Sequence, residues 1–207
     1  MKPQAHPVVF IVDDDDAVRD SIIELVDSVG VNARGYESAQ AFLDDYDADR
    51  PGCLVLDVRM AGMSGLALQD RLNAIGATIP VIMLSAHGDV PMAVEAMQKG
   101  AMDFIQKPYR DQKLLDSINR ALARDSEVRA RKAANQHHVR NLETLTPRER
   151  EILDRSLAGL TSKAIAREFD VSPRTVETHR QNVLRKLGVN SIRDLIIGES
   201  EPPDDDR

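Results

Sequence analysis

The chain has 207 residues, a net charge of −7 and 42% hydrophobic content, enough for real cores and suited to one medium domain plus a small one. Aromatic residues make up only 3% with no Trp, which points to aliphatic packing and against recognition by base stacking. A lone cysteine, Cys53, excludes an internal disulfide, no apolar stretch approaches the roughly 18 residues of a membrane span, and the polar N-terminus has no signal-peptide core, so a soluble cytoplasmic protein is expected.

Val8 to Val12, Cys53 to Leu56, Val81 to Leu84 and Phe104 to Ile105 are short, continuous apolar runs, the pattern of parallel strands buried on both faces. They end in Asp13-Asp14, in Asp57, in Ser85 and, after Gln106, in Lys107. Open α/β folds place their chemistry beyond the carboxyl ends of the strands, so three carboxylates, a hydroxyl and an ammonium are expected to converge. Any one of these aspartates alone serves equally well as a turn former or helix cap. Asp15 and Asp16 open a helix containing Val18, Ile22, Leu25 and Val29 and are assigned to its N-terminal dipole. Cys53, inside a buried run, reads as small core filler.

Electrostatics says what such a cluster needs. Two like charges about 4 Å apart repel by roughly 4 kcal/mol at an effective dielectric near 20, so three close carboxylates call for a cation. Hard carboxylate oxygens with room for water and phosphate suit Mg²⁺. Lys107 supplies a mobile positive charge for a phosphoryl oxygen, and Ser85 can donate to another. The chemistry implied is phosphoryl transfer onto an aspartate.

Val12-Asp13-Asp14, Leu56-Asp57, Met60-Ala61-Gly62-Met63-Ser64-Gly65, Ser85-Ala86-His87-Gly88-Asp89 and Lys107-Pro108 resemble the receiver domain of two-component response regulators, over about Val8 to Ala123. The stretch His87 to Met97 followed by Gly100-Ala101 is similar to the FixJ subgroup. The resemblance implies an α/β fold, a doubly wound five-stranded parallel sheet of CheY-like, flavodoxin-like type. It also implies that Asp57 accepts phosphate from a sensor histidine kinase with Lys107 and Ser85 assisting. Asp13, Asp14, Asp57 and the backbone carbonyl of Arg59 would hold Mg²⁺, and Ser85 and Phe104 would form a switch pair. A cis Lys107-Pro108 bond is implied as well. Two positions depart from the family: Ala61 stands where Pro is usual, and Ser85 replaces the commoner Thr. Tyr109 stands where Phe is frequent and is expected on a face used for dimerisation.

Asp111 to Ala123 reads as a helix with Leu114, Leu115, Ile118 and Leu122 on one face. Residues 124–141 are charged and free of Pro and Gly, a helical extension or a tether. Charge is unevenly spread: residues 1–125 hold 20 acidic and 12 basic groups, whereas residues 126–142 carry a net +3 and residues 143–198 a net +2. The front is ill-suited to DNA, and the rear is mildly basic.

Thr146-Pro147-Arg148-Glu149 combines a capping box with Pro at the first helical position. That helix runs with Ile152, Leu153 and Leu157 inward to Gly159; a second follows Thr161 with Ile165, Ala166 and Phe169 inward, and Ser172-Pro173 starts a third. The short turn at Asp170-Val171-Ser172 makes the last two a helix-turn-helix. At about 100° per residue, Val176, Val183 and Leu187 of the third helix share a line, and Arg174, Thr178, Gln181 and Arg185 gather opposite. Periodicity alone leaves that outer face either a solvent face or a DNA reader.

Leu145 to Glu151, Lys163-Ala164-Ile165-Ala166 and Ser172 to His179 resemble the LuxR-type helix-turn-helix shared by NarL and FixJ regulators, over about Asn141 to Ile197. Carried over, the resemblance puts Glu177, Thr178 and Gln181 toward bases and Lys163, Arg174, Arg180 and Lys186 nearer phosphates, with Arg185 on the same face. The reading divides the chain into a receiver over residues 1–123, a charged helical linker over 124–141, a smaller all-α DNA-binding domain over 142–198 and an acidic, disordered tail over 199–207. The expected protein is no enzyme and no membrane protein. Its partners would be the kinase, double-stranded promoter DNA, a second copy upon phosphorylation and, as a further candidate, RNA polymerase. A weaker resemblance, to haloacid dehalogenase-type phosphotransferases, would make Asp13 the nucleophile of an Asp13-x-Asp15 motif. It lacks the acidic pair required after a late strand and leaves Asp57 and the second domain idle.

Overall fold

The computed structural model describes residues 6–86 and 90–191, the side chains of residues 135–139 excepted. His87, Gly88 and Asp89 of the receiver-like motif, residues 192–198 and the acidic tail lie outside the described residues. Two compact units are present, Met1–Ala130 and Arg131–Arg207.

In the first unit the elements alternate: β1 (Val8–Val12), α1 (Asp16–Ser28), β2 (Asn32–Tyr36), α2 (Ala39–Asp45), β3 (Gly52–Asp57), α3 (Gly65–Ala74), β4 (Val81–Ser85), α4 (Val90–Gln98), β5 (Asp103–Gln106) and α5 (Asp111–Glu143). All neighbouring strands pair in parallel, in the order β2-β1-β3-β4-β5. The apolar runs are continuous because each strand buries both faces. Phe10, Val12, Leu54, Leu56, Val81 and Met83 point to one side and pack with Phe42 of α2, Leu68 and Leu72 of α3 and Ala96 of α4. Val9, Ile11, Cys53, Val55, Ile82, Leu84 and Ile105 point to the other and meet Ile22 and Val26 of α1 and Leu114, Ile118 and Ala121 of α5. This is the doubly wound arrangement expected, and burial pushes the Cys53 thiol up to about 12, in keeping with a filler role.

β2 has no apolar run. Asn-Ala-Arg-Gly-Tyr is an edge strand with alternating exposure, and its polar residues blunt an otherwise open sheet edge. The few aromatic residues are concentrated rather than dispersed: Phe42 lies 5.8 Å from Phe10, 5.4 Å from Tyr36 and 5.5 Å from Tyr46 between ring centroids. Leu157, expected inward, is 37% exposed, and Val29, expected within the first helix, is the C-cap of α1 and 52% exposed.

The second unit contains α6 (Pro147–Leu157), α7 (Ser162–Glu168) and α8 (Pro173–Leu187). Thr146 and Glu149 form the expected capping box, while Thr161 and Ser172 cap the next two helices. Gly188, at a φ of 69° where other residues are strained, closes α8. Leu145 and Leu153 pack with Val183 and Leu187, and Ile152, Ile165 and Ala166 with Val176, so the apolar line of α8 faces inward.

α5 is a single helix of 33 residues that takes in all of residues 124–141. Its packing on the sheet continues past Ala123 through a clasp that its pattern does not advertise. Asp125 is buried and its Oδ2 accepts from the Gly52 amide at 2.9 Å and from Arg129 Nε at 2.8 Å, while Arg129 Nη2 also donates to the Arg50 carbonyl at 2.8 Å. Only glycine fits at position 52, because a Cβ there would stand 2.0 Å from the Val8 carbonyl oxygen. Residues 130–134 are exposed. Asp125→Ala strands the Gly52 N–H and the Arg129 guanidinium, and we expect a loss of about 2–3 kcal/mol, read as a lower urea midpoint for the first unit in the full chain. An unshifted midpoint would show that the clasp carries no stability.

Candidate functional site

The first site grows out of strand register. Val12 pairs with Leu56, so the next residues along, Asp13 and Asp57, emerge side by side where the chain order of the sheet reverses between β1 and β3. Ser85 ends β4, and Lys107 follows β5 with its amide donating to the Ser85 carbonyl at 2.8 Å. The Lys107 ammonium closes the arrangement, with Nζ 2.7 Å from Asp13 Oδ2 and 2.7 Å from Asp57 Oδ1. Asp13, Asp57 and Ser85 are buried, whereas Phe104 is half-buried against the core of its face. The Lys107-Pro108 peptide is cis, and Tyr109 packs partly buried beneath it against the α1/α5 face.

Burial lifts the Asp57 carboxyl above its ordinary range, against the pull of Lys107 the other way, and the neighbouring Asp13 adds to the rise. For Lys107, burial pulls downward, yet hydrogen bonds and charge from Asp13 and Asp57 outweigh it and hold the ammonium above its usual value. The site is thus two enclosed carboxylates sharing one cation, with negative charge in excess.

The loop from β3 to α3 is bound to the same cluster. The Arg59 amide donates to Asp57 Oδ2 at 2.7 Å, and the Gly65 amide returns to the Val58 carbonyl at 3.0 Å. Gly65 is required by proximity, since a Cβ there would lie 2.2 Å from the Asp57 carbonyl oxygen. Asp14 behaves differently from Asp13. It is exposed, and its Oδ2 accepts from the Ala61 amide at 2.8 Å. Among the described residues no group of three acidic, His or Cys side chains already converges as a metal cage. Asp15 caps α1 by accepting from the Ala17 and Val18 amides, and Asp16 pairs with Arg19, the structural roles expected of both.

In the second unit, Lys163, Arg174, Glu177, Thr178, Gln181 and Arg185 are exposed, whereas Arg180 and Lys186 are half-buried. Thr178 Oγ1 donates to the Arg174 carbonyl at 3.0 Å, and Arg185 to Asn182 at 3.1 Å. Lys186 is drawn away from the outer face, with Nζ 2.6 Å from Glu149 Oε2 and 3.1 Å from the Thr144 carbonyl.

Comparison with known proteins matches both units. A family described as response regulator receiver domain covers residues 9–119, and one described as bacterial regulatory proteins, luxR family, covers residues 143–198. The chain belongs to the two-component response regulators that join a receiver to a LuxR-type DNA-binding domain. It is 48% identical over 188 residues to the transcriptional regulatory protein TdiR of Thauera aromatica, covering 91% of this chain and 83% of that one. Over 188 residues it is 42% identical to the transcriptional regulatory protein FixJ of Bradyrhizobium diazoefficiens, covering 91% and 92%. The structure of the response regulator StyR aligns with a TM-score of 0.86 at 40% identity over 94% of this chain and 98% of that one.

In this regulator one hub escapes a reading by motif. Glu149 is recognisable as a capping residue, yet its carboxylate also takes Lys186, tying α6 to the end of α8 at 6% and 29% side-chain exposure. The hydrogen bond from Lys186, opposed by burial and helped by Thr146, holds the Glu149 carboxyl below its ordinary range. A depressed carboxyl adds stability that is fully present above its unfolded pKa of about 4.3 and disappears as pH falls through the lower folded value. Glu149→Gln keeps an acceptor for Thr146 but not the charge, so at pH 7 it should cost the second unit about 1–2 kcal/mol. Thermal unfolding of both proteins from pH 7 down to about 3 should show that difference shrinking below about pH 4, once the wild-type carboxyl is itself protonated. A gap independent of pH would assign the loss to packing.

Proposed function

We propose that Asp57 is the phosphoacceptor and that its modification controls DNA binding by α8. The observation that carries this reading is the shared ammonium: Lys107 Nζ sits 2.7 Å from both Asp13 and Asp57, ready to follow charge as it moves outward onto a phosphoryl group. A carboxylate oxygen of Asp57 forms a bond to phosphorus as the P–N bond to a kinase imidazole breaks, and the imidazole leaves as its neutral form after taking a proton. Lys107 and Ser85 then each offer a donor to the phosphoryl oxygens. The oxygen-only donor set of Asp13, Asp14, Asp57 and the Arg59 carbonyl, with more carboxylate than ammonium, fits Mg²⁺. When bound, that ion neutralises charge on the transferring group.

The group added carries about −1.5 to −2 charge at neutral pH, beside a buried hydroxyl at the end of β4. Ser85 turns toward it, Phe104 moves into the space released, and the surface from α4 to Tyr109 is remodelled. The regulator then pairs as a homodimer and places two α8 helices on successive turns of promoter DNA. Thr178, Gln181 and Glu177 face bases, and Lys163, Arg174, Arg180 and Arg185 face phosphates and base edges. Lys186 leaves the phosphate set, because its ammonium is spent on Glu149 and the Thr144 carbonyl. The receiver spans residues 1–123 with its α5 clasp reaching Arg129, followed by a helical linker and a DNA-binding domain over 142–198. A sensor histidine kinase in the same cytoplasm supplies phosphate, and RNA polymerase is the partner through which activation of transcription would act.

Operator binding by the wild type should tighten in acetyl phosphate and Mg²⁺, while Asp57→Asn stays at the unmodified level. Equal responses would refute the phosphoswitch.

Ala61 gives a second, independent test of the metal set. Its N–H holds Asp14, and proline at this position has no N–H to offer. Ala61→Pro should therefore free the Asp14 carboxylate and tighten Mg²⁺ binding about three-fold in calorimetric titration of the unmodified protein. An unchanged or weaker affinity would remove Asp14 from the ligand set.

A further inference from the structure

Ser162 is the first residue of α7, but the capping duty there already belongs to Thr161, whose Oγ1 accepts from the Ala164 amide at 3.3 Å. The Ser162 hydroxyl is used elsewhere. It donates to Glu177 Oε1 and accepts from Arg180 Nη1 at 2.9 Å, and both partners lie on α8. A hydroxyl has one proton and two lone pairs, so this bridge fixes its orientation: proton to the carboxylate, lone pair to the guanidinium. Among the described residues Glu177 and Arg180 form no direct ion pair with each other. The serine of the preceding helix is what relates them.

A carboxylate on a surface that meets DNA is repelled by phosphates and is useful only where a donor meets it. In the major groove that donor is an exocyclic amino group, and glutamate suits the N4 amino of cytosine. Glu177 is exposed, one of its oxygens is held by Ser162, and a carboxylate has about four lone-pair sites, so acceptor capacity remains for a base.

We propose that Ser162 is a specificity-determining positioning residue, holding Glu177 in the posture that selects a cytosine-bearing base pair in each half-site. The proposal rests on the reading that the outer face of α8 meets DNA and adds which base chemistry one of its residues reads and what aims it. Arg180 is the other arm of the same bridge and turns its remaining donors to the backbone.

The test is selection from randomised duplexes by the full chain in acetyl phosphate and Mg²⁺, followed by sequencing, for wild type, Ser162→Ala, Ser162→Thr and Glu177→Gln. Wild type should enrich cytosine at one position of each half-site. Ser162→Ala should reduce that enrichment about ten-fold there while the other positions and the unfolding temperature hold. Ser162→Thr, which keeps the hydroxyl, should restore the cytosine, and Glu177→Gln should move the same position toward adenine. A Ser162→Ala motif identical to the wild type overturns the proposal and leaves DNA reading by α8 intact. Uniform weakening across all positions, with a salt slope lower by about one, also overturns it and assigns Ser162 to the phosphate contact of Arg180. A wild type that selects no motif overturns the underlying reading together with the proposal.

Discussion

The pairing of β1 with β3 in parallel, one residue short of two aspartates, sets the terms for the receiver. Val12 opposite Leu56 leaves Asp13 and Asp57 emerging together, both buried. Enclosed carboxylates at such spacing are tolerable only with a cation between them. The cation comes from Lys107 after β5, two places along the sheet from β3, and its amide is bonded to the last carbonyl of β4. A charge problem created by two strands is therefore solved by the far side of the sheet. Any event that alters charge on Asp57 must be felt at β4 and β5, because the group that answers it is anchored there.

What those strands support is unevenly fastened. α4 is stitched to α3 near its C-terminal end, where buried Gln69 donates to the Ala96 carbonyl at 3.2 Å, Asn73 to the Lys99 carbonyl at 2.8 Å, and Lys99 pairs with Asp70 and Glu95. Apolar side chains along its outer side are open, Val90 at 72%, Val94 at 48% and Met97 at 47%. If Ser85 and Phe104 form the switch pair proposed above, the hydrogen bonds to α3 hold the far end of α4 against the change.

Much of this was legible in the residues, and the gaps have physical reasons. Buried parallel strands must be apolar throughout, so β1, β3, β4 and β5 stand out, and the polar groups that end them mark the site. β2 is an edge, where polarity is an advantage, and no apolar run betrays it; only the resemblance to receivers supplied the fifth strand. Helix caps in the second unit follow from local chemistry and were found in place. What escaped were side chains whose partners lie far along the chain. Asp125 looks like a linker charge until Gly52 reaches it, and Lys186 like a phosphate ligand until Glu149 claims it. Ala61 reads only as a departure from the usual Pro, yet its amide is a donor that proline would lack, and it holds Asp14. Local pattern reports which residues are buried or capped, whereas a single long-range hydrogen bond leaves no period to detect.

Magnitudes also limit how the switch can work. Moving a population from one part in a hundred to ninety-nine parts requires about 5.5 kcal/mol of difference between states. A hydrogen bond to a charged group contributes about 1.5–3 kcal/mol. Transfer of Lys107 from Asp13 to a phosphoryl oxygen exchanges one such bond for another, so its net effect is smaller still. The ammonium alone therefore cannot throw the receiver from off to on. On the mechanism proposed above, the remainder would come from the Ser85 hydroxyl, from the bound cation and from apolar surface buried between two copies. Under that proposal modification would bias an equilibrium and pairing of two copies would complete it, so the response would depend on protein concentration as well as on phosphate.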